Sequence, residues 1–236
     1  MNKYILIDSR YRTFGTPNNF KIYLPKPITI QSYIKLNYLY LPRQNYMIND
    51  TNDLIEIQFN NNTKISVRFN HQIYSPLLLC NYINTYVANY NNFSCNYNQY
   101  TFKIEFSANS PFSIDFSKSN FYKLVSLDKI VYNCDSFNKL ITNCINFNHP
   151  YYININIANI SNDVMLGSND KQQVNFIIPM LSCNFGDILQ YDKNTYDFKI
   201  YVDNKTLNYL DFIITNDDGL LFDNNNAEWF CILEFH

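Results

Sequence analysis

The sequence has little glycine and little histidine, and both shortages narrow the chemistry that the chain can carry. Its 236 residues include four Gly and three His. We find no P-loop, no Rossmann fingerprint, no G-x-S-x-G nucleophile motif and no H-E-x-x-H zinc motif. The histidines, His71, His149 and His236, lie far apart in the chain. We therefore expect neither a nucleophile–base pair nor a metal site, and no cofactor.

The chain also lacks a charge excess and a long apolar run. Its formal net charge is −2 and it has no stretch of basic residues, so we expect no sequence-specific nucleic-acid partner. The uninterrupted apolar stretches are short, as at residues 77–80, so no membrane insertion is expected. The start is too short for a signal-peptide core, since Ile5-Leu6-Ile7 leads directly into Asp8. We expect a soluble product made in the cell interior.

Six cysteines are spread along the chain without a C-x-x-C pair and without a histidine at ligand spacing. We therefore predict reduced and mostly buried thiols rather than a zinc site or a disulfide framework. The six are Cys80, Cys95, Cys134, Cys144, Cys183 and Cys231.

Aromatic residues and asparagine, by contrast, are abundant. The sequence contains 21 Tyr and 19 Phe, and aromatic side chains fit a pleated, half-buried surface. Asn tolerates the left-handed backbone of turns where Gly is otherwise used. This bias favours strands joined by Asn-rich turns, although an AT-rich genome enriches the same residue types whatever the fold.

Alternation of apolar and polar residues predicts the first strands. Residues 20–24 alternate and then meet Pro25 and Pro27, which predicts a strand that ends at these prolines. Residues 33–41 keep the same period until Pro42. The residues expected to share one face of this second strand are Ile34, Leu36, Tyr38 and Tyr40.

A hairpin and one helix follow. Residues 54–59 and 64–69, joined by the Asn-rich turn 60–62, predict a hairpin. Ser75 as a possible N-cap, with proline at the first helical position, predicts an amphipathic helix over residues 76–89. We expect its apolar face to pack on the edge of a sandwich. That face is predicted to comprise Leu78, Tyr82, Ile83, Tyr86, Val87 and Tyr90.

Strand patterns resume after the helix and continue to the last residues. About a dozen short strands at roughly ten-residue spacing, with one helix between them, indicate an all-β sandwich or barrel. No linker composition separates two domains, so we predict an N-terminal arm over residues 1–18 and one domain over residues 19–236. Residues 120–138 hold either a short helix or a long loop. The later strands are predicted at residues 100–106, 112–116, 152–157, 173–178, 188–191, 196–202, 207–215 and 229–235.

Few residues are candidates for catalysis or metal binding. Glu105 and Asp115 could form a glycosidase-like carboxylate pair, but each lies in the polar phase of its strand, which favours a solvated outer face. Residues 217–219 lack further calcium ligands, and a turn with Gly219 at positive φ explains them. Trp229 is expected to anchor the core.

The clearest cluster of charge lies near the start, at Asp8, Arg10 and Arg12. Arginine binds carboxylates bidentately, so an arm that holds a neighbouring subunit is one interpretation. A solvated tail is the other, and the residues alone leave both open.

The sequence I-D-S-R-Y-R at residues 7–12, followed by P-N-N-F-K-I at residues 17–22, resembles the start of penton proteins. These are minor capsid proteins of virophages, polinton-like viruses and related large DNA viruses. Further matches to this family span most of the chain in the expected order. They are L-Y-L-P at 39–42, N-Y-M-I-N at 45–49, I-Y-S at 73–75, L-D-F-I at 210–213, D-G at 218–219 and W-F-C-I-L-E-F at 229–235.

The resemblance implies a single jelly-roll β-sandwich that is structural rather than enzymatic. It also implies a homopentamer at the five-fold vertices of a virion, among capsomers of double jelly-roll major capsid protein, made inside the host cell. On this resemblance, Asp8, Arg10 and Arg12 are the candidates for subunit or capsid contact.

Two other functions remain as alternatives. A carbohydrate-binding β-sandwich, such as a viral fibre head or a lectin-like module, would stack sugars on exposed tyrosines. A β-sandwich hydrolase would use Glu105 or Asp115.

Overall fold

The computed structural model describes residues 3–147, 150–160, 174–180, 183–192, 194, 198–202 and 204–236. The chain divides into two compact units, the first formed by Met1–Asn45 with Pro150–His236 and the second by Tyr46–His149. Two α-helices, α1 (Pro76–Val87) and α2 (Phe121–Leu124), and a 3-10 turn at Ser9–Tyr11 accompany the strands. The strands are β1 (Lys3–Asp8), β2 (Phe14–Thr16), β3 (Asn19–Ile30), β4 (Tyr33–Pro42), β5 (Leu54–Phe59), β6 (Lys64–Arg68), β7 (Ser94–Asn98), β8 (Lys103–Ser107), β9 (Phe112–Asp115), β10 (Val131–Asn133), β11 (Lys139–Cys144), β12 (Tyr152–Ile157), β13 (Phe176–Pro179), β14 (Ile188–Asp192), β15 (Lys199–Tyr201), β16 (Lys205–Asn216) and β17 (Phe230–Phe235).

The first unit is a sandwich of two antiparallel sheets. The β1 sheet has the strand order β1-β17-β4-β14, with β15 also paired to β4, and the β3 sheet has the order β13-β12-β16-β3-β2. The chain passes repeatedly between the sheets, so that β1, β4, β14 and β17 lie in one layer and β3, β12, β13 and β16 in the other. This is the order of a jelly roll. The expected all-β jelly-roll class is therefore confirmed.

Alternate residues from both sheets fill the space between them. Rings of Phe20 and Phe212 in the β3 sheet stack with centroids 5.2 Å apart. Trp229, just before β17, packs 5.6 Å and 5.7 Å from these two rings and is buried. The prediction that Trp229 anchors the core is thus confirmed. Aliphatic residues of the same core include Ile34, Leu36, Leu39, Leu41, Ile153, Ile155, Leu210 and Leu233.

The second unit has its own core between two smaller sheets. Their strand orders are β10-β9-β5-β6 and β11-β8-β7. The predicted hairpin is confirmed as β5 and β6, and Asn62 in its turn has a φ of 62°. Aromatic rings dominate this core, which includes Phe59, Phe69, Tyr74, Phe93, Phe106, Phe112, Phe116 and Phe121.

Strand β3 continues through Pro25 and Pro27, so the predicted end at these prolines is wrong. The ladder with β16 breaks after Tyr23 and resumes at Ile28, which leaves residues 24–27 outside it. A bulge of this kind needs no backbone hydrogen bond from its extra residues. The missing N–H of each proline therefore costs the sheet nothing at this place.

A β-bulge at Asn37 changes which face of β4 points inward. The ladder to β17 shifts by one residue at this point. Even-numbered residues point into the core before Asn37, and odd-numbered residues do so after it. The predicted common face is therefore correct for Ile34 and Leu36 and wrong for Tyr38 and Tyr40, which point outward.

The amphipathic helix is confirmed as α1, which ends at Val87. The hydroxyl of Ser75 caps it by accepting a hydrogen bond from the backbone N–H of Leu78 at 3.2 Å. In the part of the chain that the structure describes, no helix is long and apolar enough to cross a membrane. The predicted inward face is partly wrong, because Leu78, Tyr86 and Tyr90 are exposed. The buried residues are Leu79, Cys80, Ile83 and Val87.

Five strands and one turn were not predicted from the pattern. They are β1, β2, β7, β10 and β11, together with a turn before β8 in which Phe102 has a φ of 55°. The open region 120–138 contains α2 and β10. Much of the segment predicted as an arm lies in β1 and β2. The prediction that residues 19–236 form one domain, preceded by an arm over 1–18, stays a prediction.

The orientation of α1 is testable with two adjacent leucines. Leu79 is fully buried and Leu78 is 46% exposed. We expect Leu79→Ala to lower the free energy of unfolding by about 2–5 kcal/mol, and Leu78→Ala to change it by about 0.5 kcal/mol or less. Urea denaturation followed by circular dichroism measures both. Equal effects of the two substitutions would contradict the observed orientation.

Candidate subunit contact surface

Strand β1 and the turn after it hold the three charged residues singled out by sequence. β1 lies at an edge of its sheet and pairs with β17 along its whole length. Asp8 ends the strand and caps the 3-10 turn, where its carboxylate accepts a hydrogen bond from the backbone N–H of Arg10 at 3.0 Å. These residues therefore belong to a folded edge rather than to a solvated tail.

Asp8 and Arg10 form a local ion pair. The Nε atom of Arg10 lies 3.0 Å from Oδ1 of Asp8, and Nη2 lies 2.5 Å from Oδ2. The hydrogen bond from Arg10 lowers the pKa of Asp8 despite its burial, and the same contact raises the pKa of Arg10. The side chain of Arg10 is nevertheless 65% exposed. Arg10 is the more exposed of the two arginines, because the side chain of Arg12 is only 27% exposed.

Arg12 joins the start of the chain to the segment before β17. Its Nη1 atom donates to Oε1 and Oε2 of Glu228 at 2.7 and 2.9 Å and to the backbone oxygen of Ser9 at 2.7 Å. Its Nε atom donates to the backbone oxygen of Gly15 at 3.1 Å. Arg12 therefore connects Ser9 and Gly15, near the start of the chain, with the carboxylate of Glu228, which lies more than 200 positions away in sequence.

Ser9 completes this network from inside the protein. Its backbone N–H donates to the backbone oxygen of Trp229 at 2.9 Å, and its hydroxyl accepts from the backbone N–H of Trp229 at 2.9 Å. The same hydroxyl donates to Glu228. The indole N–H of Trp229 donates to the backbone oxygen of Pro17 at 2.6 Å. The backbone N–H, the backbone oxygen and the indole N–H of Trp229 thus all have partners, as burial requires.

An apolar surface lies on the outside of the β1 sheet. Strand registers place Leu6 beside Ile232 and Ile232 beside Tyr38, while Phe230 pairs with Tyr40. Leu6 is 59% exposed, and the neighbouring residues on β17 and β4 are half-buried. We name this surface the outer apolar face. It comprises Tyr4, Leu6, Tyr38, Tyr40, Phe230 and Ile232.

A buried polar cluster borders the outer apolar face. Asn37, at the bulge, donates from Nδ2 to Oε2 of Glu234 at 3.0 Å, and Oε1 of Glu234 lies 2.9 Å from Nε2 of His236. Burial raises the pKa of Glu234, but hydrogen bonds from Asn37, His236 and Tyr4 together outweigh it and hold the pKa below its usual value. The ring of His236 stacks on Tyr33 at 4.1 Å.

Sequence reasoning missed Glu228 and the outer apolar face. A signal for the face exists in β17, whose sequence F-C-I-L-E-F is apolar in both phases of its alternation. A strand with apolar residues on both faces is typical of one covered on both sides. Glu228 offered no such signal, because its partners come from the other end of the chain.

The candidate carboxylates Glu105 and Asp115 are not brought together on one sheet. Glu105 lies on β8 and Asp115 on β9, and these strands belong to different sheets of the second unit. Glu105 accepts from Nζ of Lys139 at 2.8 Å. Asp115 accepts from the backbone N–H of Ser117 at 2.8 Å and from its hydroxyl at 2.6 Å. Each carboxylate is engaged locally, which is typical of a partly solvated strand face.

The candidate calcium loop is a turn. Gly219 has a φ of 78°, as predicted, and its N–H donates to the backbone oxygen of Asn216 at 3.0 Å. The side chain of Asn216 accepts from the N–H groups of Asp218 and Leu220 at 3.0 and 2.9 Å. The carboxylate of Asp217 accepts from the backbone N–H of Tyr151 at 2.9 Å. Hydrogen bonds from backbone N–H groups to the side chain of Asn216 are typical of a turn.

Histidines and cysteines show no grouping with metal-binding geometry in the described part of the chain. His71 lies 3.4 Å from Asp53 in the second unit and His236 contacts Glu234 in the first, whereas His149 lies outside the described residues. All six thiols are free. Four are buried, Cys134 is half-buried and Cys144 is exposed, so the prediction of mostly buried thiols is confirmed.

Comparison with known proteins identifies the fold. No protein-family model and no curated protein sequence matches the chain. A search of solved structures finds the mavirus penton protein, known from a crystal structure of its selenomethionine-labelled form, with a TM-score of 0.51. The match covers 100% of this chain and 98% of the penton chain at 12% sequence identity. At this identity the likeness shows a shared fold.

The network around Ser9 predicts a specific loss of stability. Ser9→Ala removes an acceptor from the buried N–H of Trp229 and a donor from Glu228, so we expect a loss of about 1–3 kcal/mol. Ser32→Ala, the same substitution at an exposed position, is the control and should change stability by about 0.5 kcal/mol or less. Fluorescence of Trp229, the only tryptophan, reports urea unfolding at the site itself. If Ser9→Ala and Ser32→Ala had equal free energies of unfolding, the network would not contribute to stability.

The ion pair of Asp8 predicts a pH dependence. Because Arg10 holds the pKa of folded Asp8 below its ordinary value of 3.8, the carboxylate stabilises the folded state above pH 3.8, and this contribution disappears as the pH falls through the folded pKa. Asn caps a helix about as well as Asp. The stability difference between the natural chain and Asp8→Asn should therefore be on the order of 1 kcal/mol at pH 6 and shrink towards pH 2. Urea titrations across this range measure it, and a difference independent of pH would contradict the ion pair.

Proposed function

We propose that this chain is a capsid penton subunit that assembles into homopentamers at the five-fold vertices of an icosahedral virion. The observation that carries the proposal is the match with the mavirus penton protein, which extends over nearly the full length of both chains. A match of this extent includes the residues of the second unit as well as the jelly roll. The same likeness supports a role in the virion capsid.

A structural role fits the chemistry of the described residues. Their carboxylates are engaged in ion pairs, caps and turns, as shown for Glu228, Asp8 and Asp115. Closed rings form when one surface of a subunit meets a different surface of the next by a rotation that closes. We propose that function in this protein is carried by the shape and the contact surfaces, without catalysis and without a cofactor.

Of Asp8, Arg10 and Arg12, we propose Arg10 as the residue that contacts a neighbouring subunit or the capsid. Its guanidinium is largely exposed, whereas Asp8 is buried and Arg12 is committed to Glu228. Because Asp8 occupies the Nε and Nη2 side of this guanidinium, we propose that a partner carboxylate contacts its Nη1 side. In this arrangement Asp8 and Arg12 hold the turn in place, and Arg10 reaches outward to double jelly-roll major capsid protein or to another penton subunit.

A carbohydrate-binding module is the second candidate, because the second unit exposes tyrosines on α1. The hydroxyls of Tyr82 and Tyr86 lie 3.2 Å apart, and Tyr86 is 47% exposed. Aromatic rings with hydroxyl groups suit stacking on sugar rings. A glycan array separates the candidates, since binding that is lost in Tyr86→Ala would favour a lectin-like function over a purely structural one.

The mass of the purified chain tests the proposal. A pentamer of the 28.1 kDa chain has a mass of about 140 kDa. We expect light scattering to find this mass at high protein concentration, and negative-stain images to show rings with five-fold symmetry. A chain that stays at 28.1 kDa at every concentration tested, or that forms rings of another symmetry, would contradict the proposed pentamer.

A further inference from the structure

We infer that the outer apolar face, together with the open edge of β1, is the surface on which a second copy of this chain docks. The inference rests on the proposed pentamer, because it identifies one side of the contact between neighbouring subunits. Four independent features support it: the sequence phase of the strands, the contrast between the two sheets, the ring stacking and the free edge.

The residue types at outward-facing strand positions differ between the two outer surfaces of the sandwich. Strand β17 reads F-C-I-L-E-F and β1 reads K-Y-I-L-I-D, so both contain apolar residues in each phase. Strand β12 of the β3 sheet reads Y-I-N-I-N-I, with Asn in the outward phase. Strict alternation is typical of a sheet with one solvated face, and its loss indicates cover on both faces. Within the described chain, Leu6 of β1 remains 59% exposed, and we infer that a second copy of the chain covers it.

The outward phase of the β3 sheet contains more polar and charged groups. Asn154 donates to the hydroxyl of Thr215 at 3.5 Å, and Nζ of Lys21 lies 3.8 Å from Asp211. Lys21 also lies over the ring of Tyr209 at 4.5 Å. The outer apolar face, built on Leu, Ile, Phe and Tyr, is therefore the more favourable of the two for burial against a partner.

Ring stacking orders the outer apolar face before any partner arrives. The ring of Phe230 stacks on Tyr40 at 4.9 Å with an interplanar angle of 10°, and on Tyr38 at 6.0 Å with an angle of 25°. Side chains that are already ordered lose little conformational entropy on association. Aromatic residues of this kind are enriched at the centre of protein interfaces.

The free edge of β1 indicates that the partner is a polypeptide. Among the described strands, β1 pairs only with β17, so the backbone groups on its other side point away from the sheet. Edge strands usually carry charge or proline that prevents pairing. Here the exposed charge lies at the start of the strand, on Lys3, while Tyr4 and Leu6 are exposed further along it and the charge of Asp8 is paired with Arg10. A strand from another chain uses both the edge and the apolar side chains, whereas a sugar or a lipid uses only the latter.

The size of the surface fits contact between subunits. Three strands about 4.8 Å apart, each presenting two residues of the face about 6.6 Å apart, form a face on the order of 200 Å² in projection. A stable interface buries roughly 800 Å² on each partner, with an apolar centre and a polar rim. The outer apolar face has the extent of such a centre. Its rim contains Lys35, Gln190 and Asp192, which the registers place beside it.

A matched pair of substitutions tests the inference on the full-length chain. Leu6 on edge strand β1 is 59% exposed, and Phe14 on edge strand β2 of the other sheet is 64% exposed. We expect Leu6→Asp to require at least about tenfold higher protein concentration for assembly, because it places a charge in the apolar centre of the contact. Phe14→Asp, the control, should assemble like the natural chain. Sedimentation velocity over a concentration series measures both.

Photo-crosslinking gives a second measurement that does not depend on a destabilising substitution. Tyr4 and Tyr23 are exposed to similar extents on the outer sides of the two sheets. With benzoylphenylalanine in place of Tyr4, we expect crosslinks between copies of the chain, and with the same residue in place of Tyr23 we expect few.

The outcomes separate the inference from the proposed function. If rings of about 140 kDa form, but Leu6→Asp assembles normally and position 4 crosslinks no more than position 23, the inference is wrong and the pentamer stands. If the natural chain never associates, the pentamer itself is refuted and the inference falls with it.

Discussion

The first unit depends on one buried contact, in which Trp229 packs on Phe20 and Phe212 while its backbone pairs with Ser9. This contact brings together the start of the chain, the last strand and the opposite sheet. Each polar group that burial would leave without water has a partner there, through Pro17 and Ser9. The edge strand β1 is held in its place by the same residues, and the outer apolar face exists because β1 is held beside β17.

The fold class was predictable because the side chains of strands alternate with a period of two. The irregularities were not, because a bulge changes the pairing without changing the local sequence pattern. Asn37 is the clearest case, since one extra residue moves Tyr38 and Tyr40 to the outside. Pro25 and Pro27 are the converse case, in which a signal that normally ends a strand lies within a bulge of β3. In α1 the consecutive leucines at 77–79 obscured the inward face, and only the packing of Leu79 decides it.

Sequence reasoning identified only part of the candidate site. Charge at one end of the chain marked Asp8, Arg10 and Arg12, and the resemblance to pentons gave them a role. Their partner Glu228 is separated from Ser9 by 219 positions, and no local pattern reports a contact over that distance. The outer apolar face likewise combines three strands from both ends of the chain, so its residues become neighbours only through the sheet order.

The pairing of β1 with β17 has a consequence for protein synthesis. On the ribosome, the first strand emerges more than 200 residues before its neighbour, as the separation of Ser9 and Trp229 shows. Until β17 is translated, the hydrogen bonds and the rings on that side of β1 are missing. A product that stops before β17 therefore lacks the complete outer apolar face. On the proposed function, only chains translated through β17 would carry the surface that joins one copy to another.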